Sequence, residues 1–289
     1  MKFELTGEQR DLASALEGLL SSADTPAVAR AWAAGDHAPG VALWKRLSDL
    51  GLTMLATEAG PVEVCIAFEA LGRHAVPGPW VESAAYLPVA LGHEIEGIGT
   101  VAVAPHVPYA LDADVADTVY VGSAVAESVG DLHVSVDRTR RLFDVTGTGE
   151  VDQRAFDLAV LATASQLLGA GERVLADSVL YVKQRKQFGR EIGSYQAIKH
   201  ALADVRIALD FARPLVYGAA LGEVPTSAAK VAAGDAAYLA SRTGLQVHGA
   251  IGYTAEFDLS LWLTKIRALL AAWGTPAHHR ASLLQELTR

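Results

Sequence analysis

The chain has 289 residues, 51% hydrophobic and 20% charged, which is enough to bury a large core as one big or two to three small domains. A net charge of −9 and a pI near 5.5 provide no basic face of the kind a nucleic-acid backbone requires, so a nucleic-acid role is excluded. Cys65, the single cysteine, cannot close an internal disulfide, the opening MKFELTGEQRDL carries charge where a signal peptide needs an apolar core, and Lys230 and Asp235 interrupt the apolar run Ala228 to Leu239. A cytoplasmic protein with no membrane segment is the expectation.

Thr6 to Gln9 has the form of a capping box, and Leu12, Ala15, Leu16 and Leu19 follow on one helical face. A second helix is predicted over Val41 to Leu50, closing at Gly51, and a third over Glu63 to Leu71, closing at Gly72. From about Thr100 the pattern changes to short β-branched runs, Thr100 to Ala104, Thr118 to Gly122, Leu132 to Val136 and Leu142 to Thr146, separated by Pro, Gly and Asp. The remainder reads as helical. Leu158, Leu161, Leu168, Leu175, Val179 and Val182 form one stripe, and Ile198, Leu202, Val205 and Leu209 the next. Pro225 with Thr226 or Ser227 opens an alanine-rich helix to about Val247, Leu261 to Leu270 marks another ended by Gly274, and Thr275-Pro276 reads as cap and first residue of a short last helix. The fold expected is mainly α with a small β domain: a helical segment over residues 1–98, β structure over 99–150 and an antiparallel four-helix bundle over 151–289.

Between the first two long helices lies Arg185-Lys186-Gln187-Phe188-Gly189-Arg190, followed by Ser194-Tyr195-Gln196. This reads as the corner of a helical hairpin able to bind an anion: Arg185 offers a forked, permanent cation to a diphosphate, Phe188 can cover a flat ring, and Gln196 can pair with a base edge. An ordinary solvated helix end with a capping glycine fits the same residues. The nine histidines show no metal-ligand spacing, and His278 and His279 would point to different helix faces. Dinucleotide, hydrolase and phosphate-loop motifs do not occur.

The run RKQFGREIGSYQAIKHALAD resembles the carboxy-terminal bundle signature of the acyl-CoA dehydrogenase flavoproteins, and Gln246-Val247-His248-Gly249-Ala250-Ile251-Gly252-Tyr253 is similar to the family's second signature. Leu43-Trp44-Lys45-Arg46-Leu47 and Phe68-Glu69-Ala70-Leu71-Gly72-Arg73 resemble its amino-terminal helical domain, and Val136 to Leu142 the tail of its middle domain. The resemblance implies that Arg185, Phe188, Gln196, Gln246 and Gly249 contact the adenine and diphosphate half of FAD across a subunit interface. It also shows what this sequence lacks. Glu58 to Pro61 replaces a longer glycine-rich loop, and the middle domain is reduced, without the motifs that hold the flavin ring.

The family removes an α-proton from an acyl-CoA thioester with a glutamate while a hydride passes to the flavin. Its two positions for that glutamate fall here on Trp273 and on Ala159, and neither can take a proton. Glu256 and Asp157 are the nearest carboxylates, read as helix-start or salt-bridging residues. The resemblance therefore implies the shorter, base-lacking subunit of a heteromeric bacterial enzyme, with a paralogous full-length acyl-CoA dehydrogenase subunit as partner, an acyl-CoA, including bulky steroid-derived ones, as substrate, and an electron-transfer acceptor. A homo-oligomeric flavoenzyme with another base and a flavin-free interaction protein on the same fold remain open alternatives.

Overall fold

The computed structural model describes residues 4–288, so residues 1–3 and 289 of the expected end segments lie outside the described residues. Helix α1 (Gly7–Ser21) starts with the expected capping box, Thr6 accepting from the Gln9 amide and Gln9 returning to the Thr6 amide. Helix α2 (Thr25–Ala33) is not predicted by the periodicity, although it has a start signal: Asp24 accepts from the Ala27 amide and Pro26 sits in the first turn. Helices α3 (Ala38–Asp49) and α5 (Pro61–Arg73), separated by the single turn α4 (Leu55–Glu58), begin earlier than expected. Pro39 and Pro61 occupy first-turn positions, where a missing N–H costs nothing.

Gly72 does not end α5, which continues to Arg73. Its role is close approach. A Cβ on Gly72 would stand 2.0 Å from the Gln166 carbonyl oxygen on α7 (Gln153–Gln184), and one on Gly169 of α7 would stand 1.9 Å from the Glu69 carbonyl oxygen. The two helices cross backbone to backbone at this glycine pair. A π-helical turn over Glu82–Tyr86 then leads into α6 (Leu87–Leu91).

The β structure forms two three-stranded sheets. In one, β1 (Gly99–Ala102) runs parallel to β3 (Thr118–Val121), which pairs with β4 (Ala124–Val125); in the other, β6 (Leu142–Thr146) lies between β2 (Ala110–Leu111) and β5 (Ser128–His133). The strand expected over Leu132 to Val136 is displaced. β5 ends at His133, opposite Leu142, where its partner begins, and Val134 and Val136 beyond that point are solvent-exposed with no ladder to join.

Helices α7, α8 (Gln196–Ala220), α9 (Thr226–His248) and α10 (Leu259–Leu269) form the bundle, and α11 (Pro276–Leu287) opens as expected with Thr275 accepting from the His278 amide. Alanines 229, 233, 236, 237 and 240 of α9 are buried, and their small size lets α7 come in close, Gly171 facing the Ala237 backbone. Polar ties fix the amino-terminal helices to the bundle. Glu69 on α5 receives both Arg213 nitrogens at 2.8 and 2.9 Å, and Arg213 also reaches Glu172, which Arg206 holds at 2.7 Å through each of two nitrogens. From α10, Trp262 donates to the Arg73 carbonyl at 3.0 Å, and the buried Lys265 to that of Val76 at 2.9 Å.

Candidate functional site

The chain between α7 and α8 is a two-residue β-hairpin, not a bare helical corner: β7 (Lys186–Gln187) pairs with β8 (Arg190–Glu191). Phe188 and Gly189 form its tip with φ of 53° and 81°, the double positive φ of a type I′ turn. Gly189 therefore serves this turn and does not cap a helix. Phe188 is displayed to solvent at 91% exposure.

The end of α9 lies beside this hairpin. The Tyr181 ring stacks on His248 with centroids 4.3 Å apart, and its hydroxyl donates to the His248 carbonyl, while the Arg185 amide returns to the Tyr181 carbonyl at 2.9 Å. The Ile192 amide donates to the Arg185 carbonyl at 2.9 Å, folding the hairpin back so that α8 starts at Gln196. Arg185, Phe188, Gln196, Gln246 and Gly249 are thus carried to one end of the bundle, the first four exposed, and Gly249 at φ 63° as it leaves α9.

The donor set at this end suits an anion. Arg185 makes no ion pair among the described residues, whereas Arg190 is engaged, its guanidinium 3.9 Å from the Tyr195 ring centroid. No side chain caps α8, so the positive end of a 25-residue helix opens here with amide groups free for a ligand. The residues present fit the adenine and diphosphate half of a dinucleotide such as FAD.

The positions read as vacant for a base lie elsewhere. Ala159 is fully buried in α7, and Trp273 is 1% exposed, its ring 5.1 Å from that of Tyr86 and 5.7 Å from that of Phe156. Trp273 has φ 56° and Gly274 φ 102°, so the chain turns sharply after α10 and drives the indole inward. Glu256 is exposed, and the salt bridge at its turn belongs to Arg30 and Asp258, with the Glu256 carbonyl accepting a second bond from Arg30. Asp157 accepts from Gln153 at 2.9 Å, and the start of α7 is capped by Asp152, so neither reading proposed for Asp157 describes it. Partial burial raises its pKa.

Trp273 stands on the wall of a cavity of about 550 Å³ between the β structure and α10, lined by Tyr109, Leu111, Val136, Arg140 and Arg267 among others. Glu82, in the π-helical turn, belongs to the same wall, is 1% exposed, and neither of its oxygens has a hydrogen-bond partner among the described residues; burial raises its pKa. Sequence reasoning missed Glu82. The available signal was its isolation, since it is the single charged residue between Val76 and Leu91.

Buried bases support the same region. Lys230 donates to the Leu269 and Ala272 carbonyls at 2.8 and 2.7 Å, capping α10, and burial pushes its pKa down to about 7. His279 is neutral: Nε2–H donates to the Trp273 carbonyl at 2.9 Å, Nδ1 accepts from Ser227 at 3.0 Å, and burial holds its pKa at about 4. Its folded pKa lies below its unfolded one, so its stabilisation is complete above pH ~6.5 and is lost as pH falls toward 4. At pH 5 the loss amounts to about 2 kcal/mol. His279→Gln should therefore show a smaller drop in melting temperature between pH 7 and pH 5 than the parent; equal drops would place the proton elsewhere.

Comparison with known proteins identifies the family and the fold. Residues 147–288 match the family description "Acyl-CoA dehydrogenase, C-terminal domain". The chain is similar to Acyl-CoA dehydrogenase IpdE2 of Mycobacterium tuberculosis, 30% identical over 312 aligned residues that cover 96% of this chain and 93% of that protein. Among solved structures it is similar to butyryl-CoA dehydrogenase from Megasphaera elsdenii (TM-score 0.83, 19% identity, 100% of each chain) and to the ChsE4-ChsE5 complex from Mycobacterium tuberculosis (TM-score 0.80, 20% identity, 100% of this chain and 99% of that one).

Proposed function

The chain belongs to the acyl-CoA dehydrogenase family, and we propose that it acts as a subunit of an FAD-dependent enzyme, presenting the adenine and diphosphate edge of the cofactor site to a full-length paralogous partner. The observation that carries this reading is the separation of the two places described above. Arg185, Phe188 and Gln196 face outward at the bundle end, whereas Trp273 is buried against Tyr86 and Phe156 on the wall of the chain's own cavity. Donors that point away from a chain's own cavity suit a cofactor whose reactive ring lies in a neighbour. In this reading Arg185 and the start of α8 bind the diphosphate, Phe188 covers the flat adenine, Gln196 and Gln246 pair with its edges, and Gly249 lets the backbone approach.

FAD, when bound, supplies the acceptor for a hydride from the acyl group. The partner supplies the glutamate that takes the α-proton, because aromatic Trp273 and aliphatic Ala159 have no group to hold one. Leu180, Ile207, Phe211 and Tyr253 are exposed apolar side chains on the bundle and its adjoining turn, which favours assembly there. For the assembled enzyme the substrate is an acyl-CoA, including bulky, steroid-derived ones, as the resemblance implies.

Purified alone, the chain is expected to carry little FAD; co-expressed with a full-length relative, it should form a hetero-oligomer loaded with flavin in stoichiometric amount. Absorbance at the flavin bands of each size-exclusion peak reads this directly. A yellow, fully loaded and catalytically active homo-oligomer would defeat the proposal.

A further inference from the structure

Two polar groups in the wall of the large cavity have no hydrogen-bond partner among the described residues. Both Glu82 oxygens and the Trp273 indole nitrogen are buried without a hydrogen bond, and the indole N–H faces the carboxyl without closing a bond to it. A buried polar group left unpaired costs on the order of 1–3 kcal/mol, so two side by side need an explanation. Each is also set in an unusual backbone: Glu82 opens a π-helical turn, and Trp273 is a bulky residue at φ 56°. Such features persist where something other than packing selects them.

The rest of the wall limits what could satisfy them. Leu111, Leu142 and Val136 make it apolar, and Arg140 and Arg267, neither of which makes an ion pair among the described residues, bring positive charge to it. Burial raises the Glu82 pKa against the pull of the nearby Arg140 and Lys265 charges, and in its protonated form the carboxyl donates as the indole does, so two donors serve one acceptor.

We propose that Glu82 and Trp273 form the recognition point for an uncharged oxygen, above all a ketone, carried on an otherwise apolar ligand whose anionic end is held by Arg140 or Arg267. Both side chains already line the cavity. The inference goes beyond the proposed function: it gives this chain's own cavity a ligand apart from the acyl group that reacts in the partner.

The test uses decanoate and 9-oxodecanoate, a pair that differs by one ketone, titrated calorimetrically into the full-length chain alone and into its complex. Neither FAD loading nor turnover enters, so failure of the shared-cofactor reading leaves this result standing, and the reverse also holds. The parent should bind the keto acid about tenfold more tightly, the worth of one good hydrogen bond. Glu82→Leu should abolish that preference while still binding decanoate, and Glu82→Gln, whose amide donates, should retain part of it. Trp273→Phe keeps the ring and removes the N–H, so it decides the matter even if Glu82→Leu fails to fold, and a reduced preference is expected. Equal affinity of the parent for the two acids, or a preference unchanged in Glu82→Leu or in Trp273→Phe, would overturn the inference.

Discussion

Replacing Arg185 by alanine is expected to weaken FAD retention by the assembled enzyme about ten- to a hundredfold, because a diphosphate deprived of its forked cation loses charge-assisted bonds of roughly 1.5–3 kcal/mol. The size follows from how little else competes for Arg185: it is exposed, makes no ion pair among the described residues, and stands where the ends of α7 and α9 meet the start of α8. Arg190→Ala should cost less, since that guanidinium is already spent on the Tyr195 ring. Flavin released on dialysis, followed by fluorescence, compares the two. Equal losses would mean a diffuse basic surface and would remove Arg185 from its assigned place.

Gly169→Ala, a change of one methyl group, should destabilise the fold by about 3 kcal/mol or more. The added carbon would lie 1.9 Å from the Glu69 carbonyl oxygen and 2.9 Å from the Arg73 nitrogen, and backbone on both sides leaves nothing flexible to yield. The same substitution at Gly18, exposed in α1 with open space around it, should stabilise by about 0.5–1 kcal/mol through helix propensity alone. Thermal melts followed by circular dichroism measure both. An unchanged melting temperature for Gly169→Ala would show that α5 and α7 cross further apart than described.

Much of this was legible in the residues. Thr6-x-x-Gln9 and Thr275-Pro276 state their caps locally, and the stripe from Leu161 to Val182 states its face, because capping and periodicity depend on neighbours in sequence. The misses have a different cause. Gly72 reads as a helix end from its neighbours, and only the arrival of Gln166 from α7, 94 positions later, reveals it as a crossing point. Glu82 goes unread in the sequence because its burial is made by the β structure and α10, which close over it from distant parts of the chain. Phe188-Gly189 reads as a helix terminus until the pairing of Lys186 with Glu191 is seen, since an aromatic residue at positive φ is rare in hairpin tips.

The ion-pair chain from Glu69 through Arg213 and Glu172 to Arg206 has a consequence for how the molecule comes apart. It joins an early helix to two late ones, at the crossing where backbone meets backbone, and the core beside it mixes Leu16, Leu47 and Phe68 with Phe156 and Trp273. Opening the amino-terminal helices would strip apolar cover from α7 and leave Arg213 with only one of its two carboxylates, Glu172, so the two parts are expected to open together. A single thermal transition, coincident by circular dichroism and tryptophan fluorescence, is the expected result. Cleavage in the exposed turn between α6 and β1 would nick the protein yet leave its two pieces held together under native conditions.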